Sequence, residues 1–395
     1  MISINKQSFK GRKAIIRVDF NVPMSSEKIV LDSSRIHGSK STILKVLSDG
    51  GSCVLISHLG RPKGKEKKFS LKPVIPEIEK ILNQKVLFSE DVLGDKTEKI
   101  TKDLKPGQVV LLENLRFYSE EVSGDELFAK NLSNYGDCYI NDAFGTVHRA
   151  HASTTIIAKF FKNNKFSGHL LSKEVEAIKK VFEGGKKPVL AILGGAKVSS
   201  KITIIKSVIN KVDEIIIGGG MAFTFIKALG GEIGDSICEN DKLNLALSIL
   251  EKAKEKGVKI YLPLDVVCAK EFSEKGTKKI QEIKNISKGW QGLDAGPKTI
   301  KMFQRAVETA KTILWNGPIG VFELESFSKG TIQLGESIAK STSKGAFSLV
   351  GGGDSVAAVK KFNFQDKVSY VSTGGGAMLE SLEGKMLPGI IALSN

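Results

Sequence analysis

Residues 188–205 read PVLAILGGAKVSSKITII, and this segment sets the expected architecture of the whole chain. An apolar run at 189–193 is followed by two glycines and then by residues with helix-like spacing. The pattern predicts a strand, a glycine turn and a helix that carries Lys197 and Lys201 on one face. Backbone N–H groups and the helix N-terminus would then face a polyphosphate, although one such turn is equally compatible with an ordinary strand-to-helix connection.

The same pattern recurs three times in the second half, where apolar runs end in glycine triplets at 218–220, 351–353 and 374–376. Four such turns on one parallel sheet would bring four sets of backbone donors to the edge at which open α/β sheets bind ligands. This recurrence favours phosphate binding over chance turn chemistry. Asp354 directly follows one triplet, and its carboxylate would hold Mg²⁺ beside the bound phosphates.

Apolar runs in the first half end in polar clusters instead of glycine. Continuous apolar runs separated by helical stretches, as at 35–47 and 73–82, predict a parallel α/β sheet. The polar side chains expected at or just beyond the strand C-termini are Asp19, Asn21, His58, Arg61, Arg116 and Arg149. As a set they predict an anion site on one sheet edge, although each alone is compatible with a surface arginine or a capping histidine.

The net charge of +16 is compatible with a nucleic acid, an anionic membrane or small anionic substrates as partners. Seven of the 59 basic residues are arginines, and six of these lie before residue 150. Because lysine cannot reproduce the two-pronged contact of a guanidinium with phosphate or carboxylate, these arginines indicate anion recognition. The lysines are scattered without interleaved aromatic residues, which leaves nucleic-acid binding as a side activity only.

Length and composition narrow the class of protein further. A chain of 395 residues exceeds what one core usually holds, so two domains are expected. No apolar run reaches membrane-spanning length and the N-terminus lacks the apolar region of a signal peptide, so we expect a cytoplasmic protein. The four cysteines match no zinc or redox spacing and are expected to be reduced, with most of them buried.

Three other segments carry expectations of their own. The apolar stripe of 171–182 predicts an amphipathic helix, either a connector between two halves or an ordinary surface helix. Residues 290–297 have the composition of a tight loop suited to cover a nucleotide base. Residues 312–323 predict a strand that ends in a rigid turn with a carboxylate, Glu323, behind it.

From end to end the chain resembles phosphoglycerate kinase. The matching motifs are long, specific and in the order of the family: RVDFNVP (17–23), HLGRP (58–62), LLENLRF (111–117), NDAFGTVHRAHAST (141–154), LGGAKVSSKI (193–202), IIGGGMAFTF (216–225), LDAGPKT (293–299), LWNGPIGVFE (314–323), GGGDSVAAV (351–359) and STGGGA (372–377).

The resemblance implies two Rossmann-like three-layer α/β/α domains with parallel sheets, joined by a hinge helix. Residues 1–170, with a C-terminal tail of about 380–395, would bind phosphoglycerate. Residues 171–184 would form the interdomain helix and residues 185–379 the nucleotide-binding domain. Because each domain would bind one substrate, the chain would have to close on its hinge for transfer.

The activity implied is reversible transfer of the acyl phosphate of 1,3-bisphosphoglycerate to ADP, which gives ATP and 3-phosphoglycerate in glycolysis. Such an enzyme is a phosphotransferase with a carboxyl group as acceptor. Mg²⁺ is the implied cofactor and ATP or ADP a substrate. A monomer with small-molecule substrates, and without a membrane or a specific nucleic acid as partner, is expected.

The resemblance also carries over site residues. Those for phosphoglycerate are Asp19, Phe20, Asn21, Arg35, His58, Leu59, Gly60, Arg61, Arg116, Arg149 and His151. Those for the nucleotide are Gly195, Lys197, Lys201, Gly219, Gly220, Gly292, Leu293, Asn316, Pro318, Glu323, Gly352, Gly353, Asp354 and Ser355, with Asp354 as the metal ligand. The catalytic residues implied are Arg35, Lys197, Lys201 and Gly375.

One departure from the family concerns charge near the phosphates. Many relatives have an aspartate where this chain has Ser200, so the serine is expected to change local charge or Mg²⁺ handling without abolishing activity. A dinucleotide dehydrogenase is the rival among enzymes. No glycine turn completes G-x-G-x-x-G and no G-x-x-x-x-G-K-[ST] occurs, which disfavours both a dehydrogenase and a P-loop enzyme.

Overall fold

The computed structural model describes residues 1–394, and the chain divides into two compact units. Unit 1 comprises Met1–Val175 together with the tail from Met386, and unit 2 comprises Glu176–Lys385. The strands are β1 (Lys13–Arg17), β2 (Ser52–Ile56), β3 (Val86–Ser89), β4 (Val109–Leu112), β5 (Cys138–Asn141), β6 (Lys165–Ser167), β7 (Val189–Leu193), β8 (Glu214–Ile217), β9 (Glu232–Ile233), β10 (Lys259–Tyr261), β11 (Asp265–Ala269), β12 (Lys278–Glu282), β13 (Asn285–Ile286), β14 (Gln291–Ala295), β15 (Thr312–Asn316), β16 (Phe347–Val350) and β17 (Tyr370–Val371). The α-helices are α1 (Ser34–Ser48), α2 (Ile75–Leu82), α3 (Asp95–Lys102), α4 (Ser119–Ser123), α5 (Glu126–Ser133), α6 (His169–Phe182), α7 (Ile202–Val208), α8 (Met221–Ala228), α9 (Leu243–Glu255), α10 (Pro297–Thr309), α11 (Lys329–Ser343), α12 (Gly353–Lys361), α13 (Gly376–Leu382) and α14 (Pro388–Ile391).

Unit 1 is built on a parallel sheet with the strand order β3-β4-β2-β1-β5-β6. Strands β2, β4 and β5 are buried along their whole length, which requires cover on both faces of the sheet. Arg17 at the end of β1 pairs with Ile56 of β2 and with Asn141 of β5. The chain segments that follow these three strands therefore emerge at the same edge, as the polar clusters predicted.

Unit 2 is built on a second parallel sheet with the order β10-β8-β7-β15-β16-β17. The four glycine turns predicted from the sequence follow β7, β8, β16 and β17, so all four belong to this one sheet. Asn316 at the end of β15 pairs with Leu193 of β7, and Leu193 pairs with Ile217 of β8. The prediction of two parallel α/β sheets is confirmed.

A helix does follow this glycine turn, as predicted, but the expectation that it carries Lys197 and Lys201 on one face was wrong. Helix α7 begins at Ile202, so Lys201 is its N-cap and Lys197 lies in the preceding loop. The side chain of Ser200 donates to the carbonyl of Lys197 at 2.8 Å, and Ser199 donates its backbone N–H to Glu239 at 2.9 Å. Such local bonds from serine replace the helical ladder.

Residues 290–297 do not form the expected tight loop either. Strand β14 occupies most of this segment and pairs antiparallel with β11, which also pairs with β12. This small sheet lies in unit 2 beside a second pair of short strands, β9 and β13. Glycine marked a close approach here instead of a turn, because a Cβ on Gly292 would lie 2.3 Å from the ring of Phe223.

The predicted amphipathic helix at 171–182 is confirmed as α6, and the boundary between the two units, at Val175 and Glu176, falls inside it. The C-terminal tail packs on unit 1, where the backbone N–H of Gly389 donates to the carbonyl of Val147 at 2.8 Å and Leu393 is buried. Three of the four cysteines are buried and all are free, as expected. Within residues 1–394, none of the helices has the length and apolar character needed to cross a bilayer.

Candidate active site

Unit 1 contains a cavity of about 260 Å³ at the C-terminal edge of its sheet. Loops after β1, β2, β4 and β5 and the first turn of α1 supply the walls. Eight of the predicted phosphoglycerate residues line it: Asp19, Asn21, Arg35, His58, Gly60, Arg61, Arg116 and Arg149. The arginines and polar groups that the sequence scatters over more than a hundred residues therefore converge on one space.

Hydrogen bonds between loops hold the Arg35 side of this cavity. Arg35 Nη1 donates to Asp19 Oδ1 at 3.1 Å and to the carbonyl of Asn21 at 2.9 Å. The side-chain oxygen of Asn21 in turn accepts the backbone N–H of Gly60 at 2.8 Å. About a third of the Arg35 side chain is still exposed, so the guanidinium is oriented but has donors left for a ligand.

Arg116 faces the cavity with little countercharge. Its Nη1 donates to the carbonyl of Gly60 at 2.8 Å, and its backbone N–H is capped by the side chain of Asn114 at 3.0 Å. Burial, and then the positive charge of Arg17, lower the pKa of Arg116 to about 10. The guanidinium remains charged at neutral pH, and a bound anion would relieve the unfavourable field.

The histidines at this edge are neutral groups instead of cations. Burial, followed by the charges of Arg17 and Arg116, holds the pKa of His58 well below its usual range. The same causes, with Arg116 ahead of Arg17, lower the pKa of His151 to about 4. At neutral pH both imidazoles therefore offer hydrogen bonds, while the positive charge of the site comes from arginine.

Three predicted phosphoglycerate residues do not line this cavity. Phe20 is fully buried in the core, and its backbone N–H donates to Ser57 Oγ at 2.8 Å. Leu59 faces an adjoining cavity of about 410 Å³. His151 lies behind the wall, with Nδ1 3.9 Å from Glu121 Oε1. All three lie within two residues of a residue that does line the cavity, so position within a motif does not distinguish a lining residue from a supporting one.

Sequence reasoning missed three lining residues in the loop after β5: Gly145, Thr146 and His148. The signal was available, because all three lie in the polar segment 141–154 from which only Arg149 and His151 were selected. All three follow β5, an interior strand of the sheet, and residues just beyond the C-terminal ends of such strands are expected to line a ligand site.

Unit 2 contains a cavity of about 380 Å³ at the C-terminal edge of its own sheet. Eight of the predicted nucleotide residues line it: Gly195, Gly219, Gly220, Gly292, Leu293, Pro318, Glu323 and Asp354. The remainder of the wall is largely apolar and includes Phe223, Val266, Phe272 and Ile283. These apolar residues were missed because they come from α8 and from the small sheet around β11, whose sequence looks like ordinary core.

Glycine is required where the turns after β7, β8 and β15 meet. Gly219 has a φ of +66°, and a Cβ there would lie 2.8 Å from the backbone of Gly195. A Cβ on Gly194 would lie 2.0 Å from the carbonyl of Pro318. The turns after β7, β8 and β15 therefore pack backbone against backbone, which leaves their N–H groups close to the cavity.

A second set of predicted nucleotide residues supports the cavity without lining it. Lys201 Nζ donates to Asn316 Oδ1 at 2.5 Å, and Asn316 Nδ2 donates to the carbonyl of Gly351 at 2.7 Å. A Cβ on Gly352, where φ is +90°, would lie 2.5 Å from Asn316 Nδ2. Ser355 is buried, and its Oγ accepts the backbone N–H of Gly317 at 2.5 Å.

Two lysines of unit 2, Lys197 and Lys201, follow the glycine turn after β7. Burial lowers the pKa of Lys201 while the carboxylate of Asp354 raises it, and burial is the larger effect. Lys197 is exposed in the loop before α7. Gly353 is the first residue of α12, and Gly375, with a φ of +49°, is the N-cap of α13, so two helix N-termini accompany the two lysines.

Lys361 was not singled out from the sequence, yet it holds one wall of this cavity. Its Nζ donates to the carbonyls of Phe322 and Glu323 at 2.9 and 3.0 Å. Lys361 ends α12, whose first turn carries Asp354. One helix therefore fixes both the carboxylate of Asp354 and the backbone beneath Glu323.

A family model described as phosphoglycerate kinase matches residues 4–385. Two similar proteins are the phosphoglycerate kinase of Porphyromonas gingivalis and the cytosolic phosphoglycerate kinase of Triticum aestivum. The first is 48% identical over 417 residues and covers 99% of this chain and 100% of the relative. The second is 49% identical over 391 residues, with coverages of 99% and 97%.

Solved structures give the same result. The structure of phosphoglycerate kinase from Coxiella burnetii matches with a TM-score of 0.92 at 42% identity, covering 100% of this chain and 98% of the other. The crystal structure of the Pyrococcus horikoshii enzyme matches with a TM-score of 0.83 at 29% identity and the same coverages. The similarity thus extends over both units.

Proposed function

The chain belongs to the phosphoglycerate kinase family, and we propose that its two cavities bind the two substrates of that reaction. It is a phosphotransferase of glycolysis that moves the acyl phosphate of 1,3-bisphosphoglycerate to ADP, reversibly, to give ATP and 3-phosphoglycerate.

The observation that carries the assignment is the convergence of four arginines on the cavity of unit 1. Arg35, Arg61, Arg116 and Arg149 offer planar donor forks suited to the phosphate and carboxylate of phosphoglycerate. The cavity volume of about 260 Å³ suits a small anion and not a nucleotide. Asn21, Asp19 and neutral His58 add hydrogen-bonding groups that match hydroxyl and carboxylate oxygens.

The larger cavity of unit 2 suits a nucleotide. Its apolar wall, with Leu293 and Phe223 on it, would hold the base, and Glu323 would accept from the ribose hydroxyls. The glycine turns at Gly195 and Gly219 would approach the phosphates with backbone N–H groups. Residues 1–170 with the tail and residues 185–379 would then be the phosphoglycerate-binding and nucleotide-binding domains, with 171–184 between them.

The carboxylate of Asp354, on the wall of this cavity, is a donor that suits Mg²⁺. No group of three or more His, Cys, Asp or Glu residues within residues 1–394 could hold a metal ion. Asp354, however, is an exposed carboxylate on the cavity wall, and Mg²⁺ is often held by one carboxylate together with nucleotide phosphates. When bound there, the ion neutralises negative charge on the phosphate oxygens.

The chemistry assigned to the chain is positioning and charge neutralisation. In the ATP-consuming direction the nucleophile is a carboxylate, which is already ionised at neutral pH, so no general base is required. Arg35 acts on the bridging side, Lys197 on the oxygens of the transferring phosphoryl group, and Lys201 on the nucleotide phosphates. The backbone at Gly375, at the N-terminus of α13, donates to the same charge as it develops.

The test is a coupled assay in which the purified protein receives Mg-ATP and 3-phosphoglycerate and a dehydrogenase consumes the 1,3-bisphosphoglycerate formed. Lys197→Ala is expected to lower turnover by about two to four orders of magnitude. Lys206→Ala, which removes an exposed lysine from α7, is the matched control and should retain activity. Wild-type turnover in Lys197→Ala would overturn the role of this lysine.

We further propose a monomer in the cytoplasm, with no membrane or specific nucleic acid as partner. The names of the relatives from Triticum aestivum and Arabidopsis thaliana, which include the word cytosolic, support the location. Light scattering of the purified protein measures the oligomeric state. A mass of twice 42.7 kDa across a dilution series would contradict the monomer.

A further inference from the structure

A buried guanidinium lies beneath the proposed phosphoglycerate cavity. Arg17 ends β1 and is fully buried, although it lines neither cavity. Its Nε donates to Ser153 Oγ at 2.9 Å, its Nη1 donates to the carbonyl of Val18, and its Nη2 lies 3.2 Å from His58 Nδ1. Burying this charge is costly, so the contacts that satisfy its N–H groups fix its position.

A buried carboxylate holds Ser153, the residue that accepts from Arg17 Nε. Glu121 of α4 is fully buried, and its two oxygens accept the backbone N–H of Ser153 at 2.9 Å and the Ser153 hydroxyl at 2.6 Å. The Ser153 hydroxyl thus donates to Glu121 and accepts from Arg17. Tyr139, also fully buried, donates to the carbonyl of Ser153 at 2.7 Å and anchors the same segment. Ser153 is therefore fixed by three hydrogen bonds, and it fixes the Nε side of the guanidinium in turn.

The contact between Arg17 and His58 has only one possible direction. A guanidinium has donors and no acceptor, so His58 Nδ1 must accept and the ring proton must be on Nε2. Asp19 is the competing partner, but its Oδ1 is 4.0 Å from Nδ1 and is engaged by Arg35 and by the backbone N–H of Asn21. Nδ1 is engaged by Arg17, so Nε2 is the ring nitrogen left to donate to a ligand in the cavity that His58 lines.

We propose that Arg17 is a positioning residue that fixes His58 as the neutral Nε2–H tautomer, so that His58 presents a hydrogen-bond donor to phosphoglycerate. This inference rests on the proposed assignment of His58 to the phosphoglycerate site. The site then recognises an anion oxygen through a neutral donor whose orientation is set from below. The arginines on the wall supply the charge, and Arg17 supplies the geometry.

The surroundings of His58 agree with a neutral ring. The charged and titratable groups that face it are Arg17 from β1, Asp19 after β1, Arg35 from α1, Arg116 after β4 and His151 after β5. Three of these are cations and one carboxylate is already paired with Arg35. Burial and these positive neighbours lower the pKa of the imidazole, and protonation at Nδ1 would also break its contact with Arg17.

The tautomer is measured directly on the wild-type protein by two-bond ¹H–¹⁵N correlation of histidine labelled with ¹⁵N, with His58→Gln to assign the signal. We expect Nδ1 of His58 to be unprotonated and Nε2 to be protonated, without change from about pH 6 to about pH 8. His37, which is exposed on α1, provides the reference ring that exchanges between tautomers. A proton on Nδ1, or an imidazolium that forms in this range, would overturn the proposal.

Kinetics test the positioning role. Arg17→Met removes the donors at similar length, and we expect the KM for 3-phosphoglycerate to rise about tenfold while the KM for ATP changes little. In a His58→Gln background the same change should add almost nothing, because its target is gone. Losses that simply add would show a general structural role and overturn the proposal. If Arg17→Met does not fold, the wild-type spectrum still decides the tautomer.

Failure of the inference and failure of the site assignment give different results. An Nδ1–H ring together with a raised KM in His58→Gln would overturn the tautomer and keep His58 in the phosphoglycerate site. A fixed Nε2–H ring with an unchanged KM for 3-phosphoglycerate in His58→Gln would keep the Arg17 contact and overturn the assignment of His58 to that site.

Discussion

The polar groups of the two cavities come from different parts of the chain, mainly from side chains in unit 1 and mainly from the backbone in unit 2. The cavity of unit 1 takes its chemistry from side chains, and its charge is carried by arginines that hydrogen bonds orient. The cavity of unit 2 takes much of its polar chemistry from the backbone at glycine turns, set against an apolar wall. A site made of side chains loses function when a group is removed, whereas a site made of backbone loses function when a group is added.

The largest expected effect comes from removing one guanidinium in unit 1. Arg35→Ala should lower turnover at saturating substrates by about two to four orders of magnitude, because its donors face charge that develops during transfer. Arg305→Ala, which removes an exposed arginine from α10, is the matched control and should leave turnover unchanged. Near-normal turnover in Arg35→Ala would mean that the wall arginines substitute for one another, and the contrast between the cavities would weaken.

This contrast also explains what the sequence reveals. Arginines and glycines are visible as residue types at strand ends, and so the two parallel sheets, most lining residues of the unit 1 cavity and the glycine part of the unit 2 cavity were predicted. The apolar wall of the unit 2 cavity was not predicted, because Phe223 and Val266 are indistinguishable in sequence from ordinary core residues. Nor was the loop at Lys197, where serine side chains replace a helical turn that apolar spacing alone suggested.

Supporting residues are the harder part of a site to predict. Arg17, Glu121 and Lys361 line neither cavity, and each acts by what it holds. Their partners lie up to 136 residues away in sequence, as for Arg17 and Ser153. No local pattern carries such information, because it depends on which strands the fold brings side by side.

The next largest effect is expected from adding a Cβ to a glycine turn beside the unit 2 cavity. Gly352→Ala should raise the KM for ATP about tenfold, because the new Cβ displaces Asn316 and with it the partner of Lys201. Gly345→Ala is the matched control, since Gly345 also has a positive φ, of +96°, but open space around its Cα. That variant should lose about 1 kcal/mol of stability and keep its nucleotide KM. Equal KM values in both variants would contradict a site made of backbone.

A smaller effect is expected at the support of the nucleotide wall. Lys361→Met should raise the KM for ATP about threefold to tenfold, because the carbonyls of Phe322 and Glu323 lose their donor. Lys361→Arg retains donors at similar reach and should recover part of the affinity. If both variants match the wild type in steady-state kinetics, the backbone beneath Glu323 does not need this anchor.

The smallest effect is expected on the pH dependence of stability, to which one buried aspartate in each unit contributes. Burial raises the pKa of Asp142 in unit 1 and of Asp294 in unit 2 to about 7 in both cases. In the unfolded chain each carboxyl has its ordinary pKa near 4, so the folded state binds the proton more tightly. Stability from this source is fully present below about pH 4 and is lost as pH rises towards about 7.

Asp142→Asn and Asp294→Asn should each flatten the decline of unfolding free energy with pH, by at most about 1.4 kcal/mol per pH unit. Thermal unfolding of both variants and the wild type at several pH values between about 5 and about 8 gives the differences. A slope identical to that of the wild type would mean that the aspartate is ionised in the folded protein.

The tail that packs on unit 1 has a consequence for how the protein is made. The N–H of Gly389 donates to the carbonyl of Val147, and Leu393 is buried in the same tail. Val147 is synthesised about 240 residues before Gly389. Unit 1 therefore cannot reach its final packing until the segment from Gly389 to Leu393 has been translated. Unit 2, by contrast, is formed by one continuous segment, Glu176–Lys385, and needs no later part of the chain to complete it.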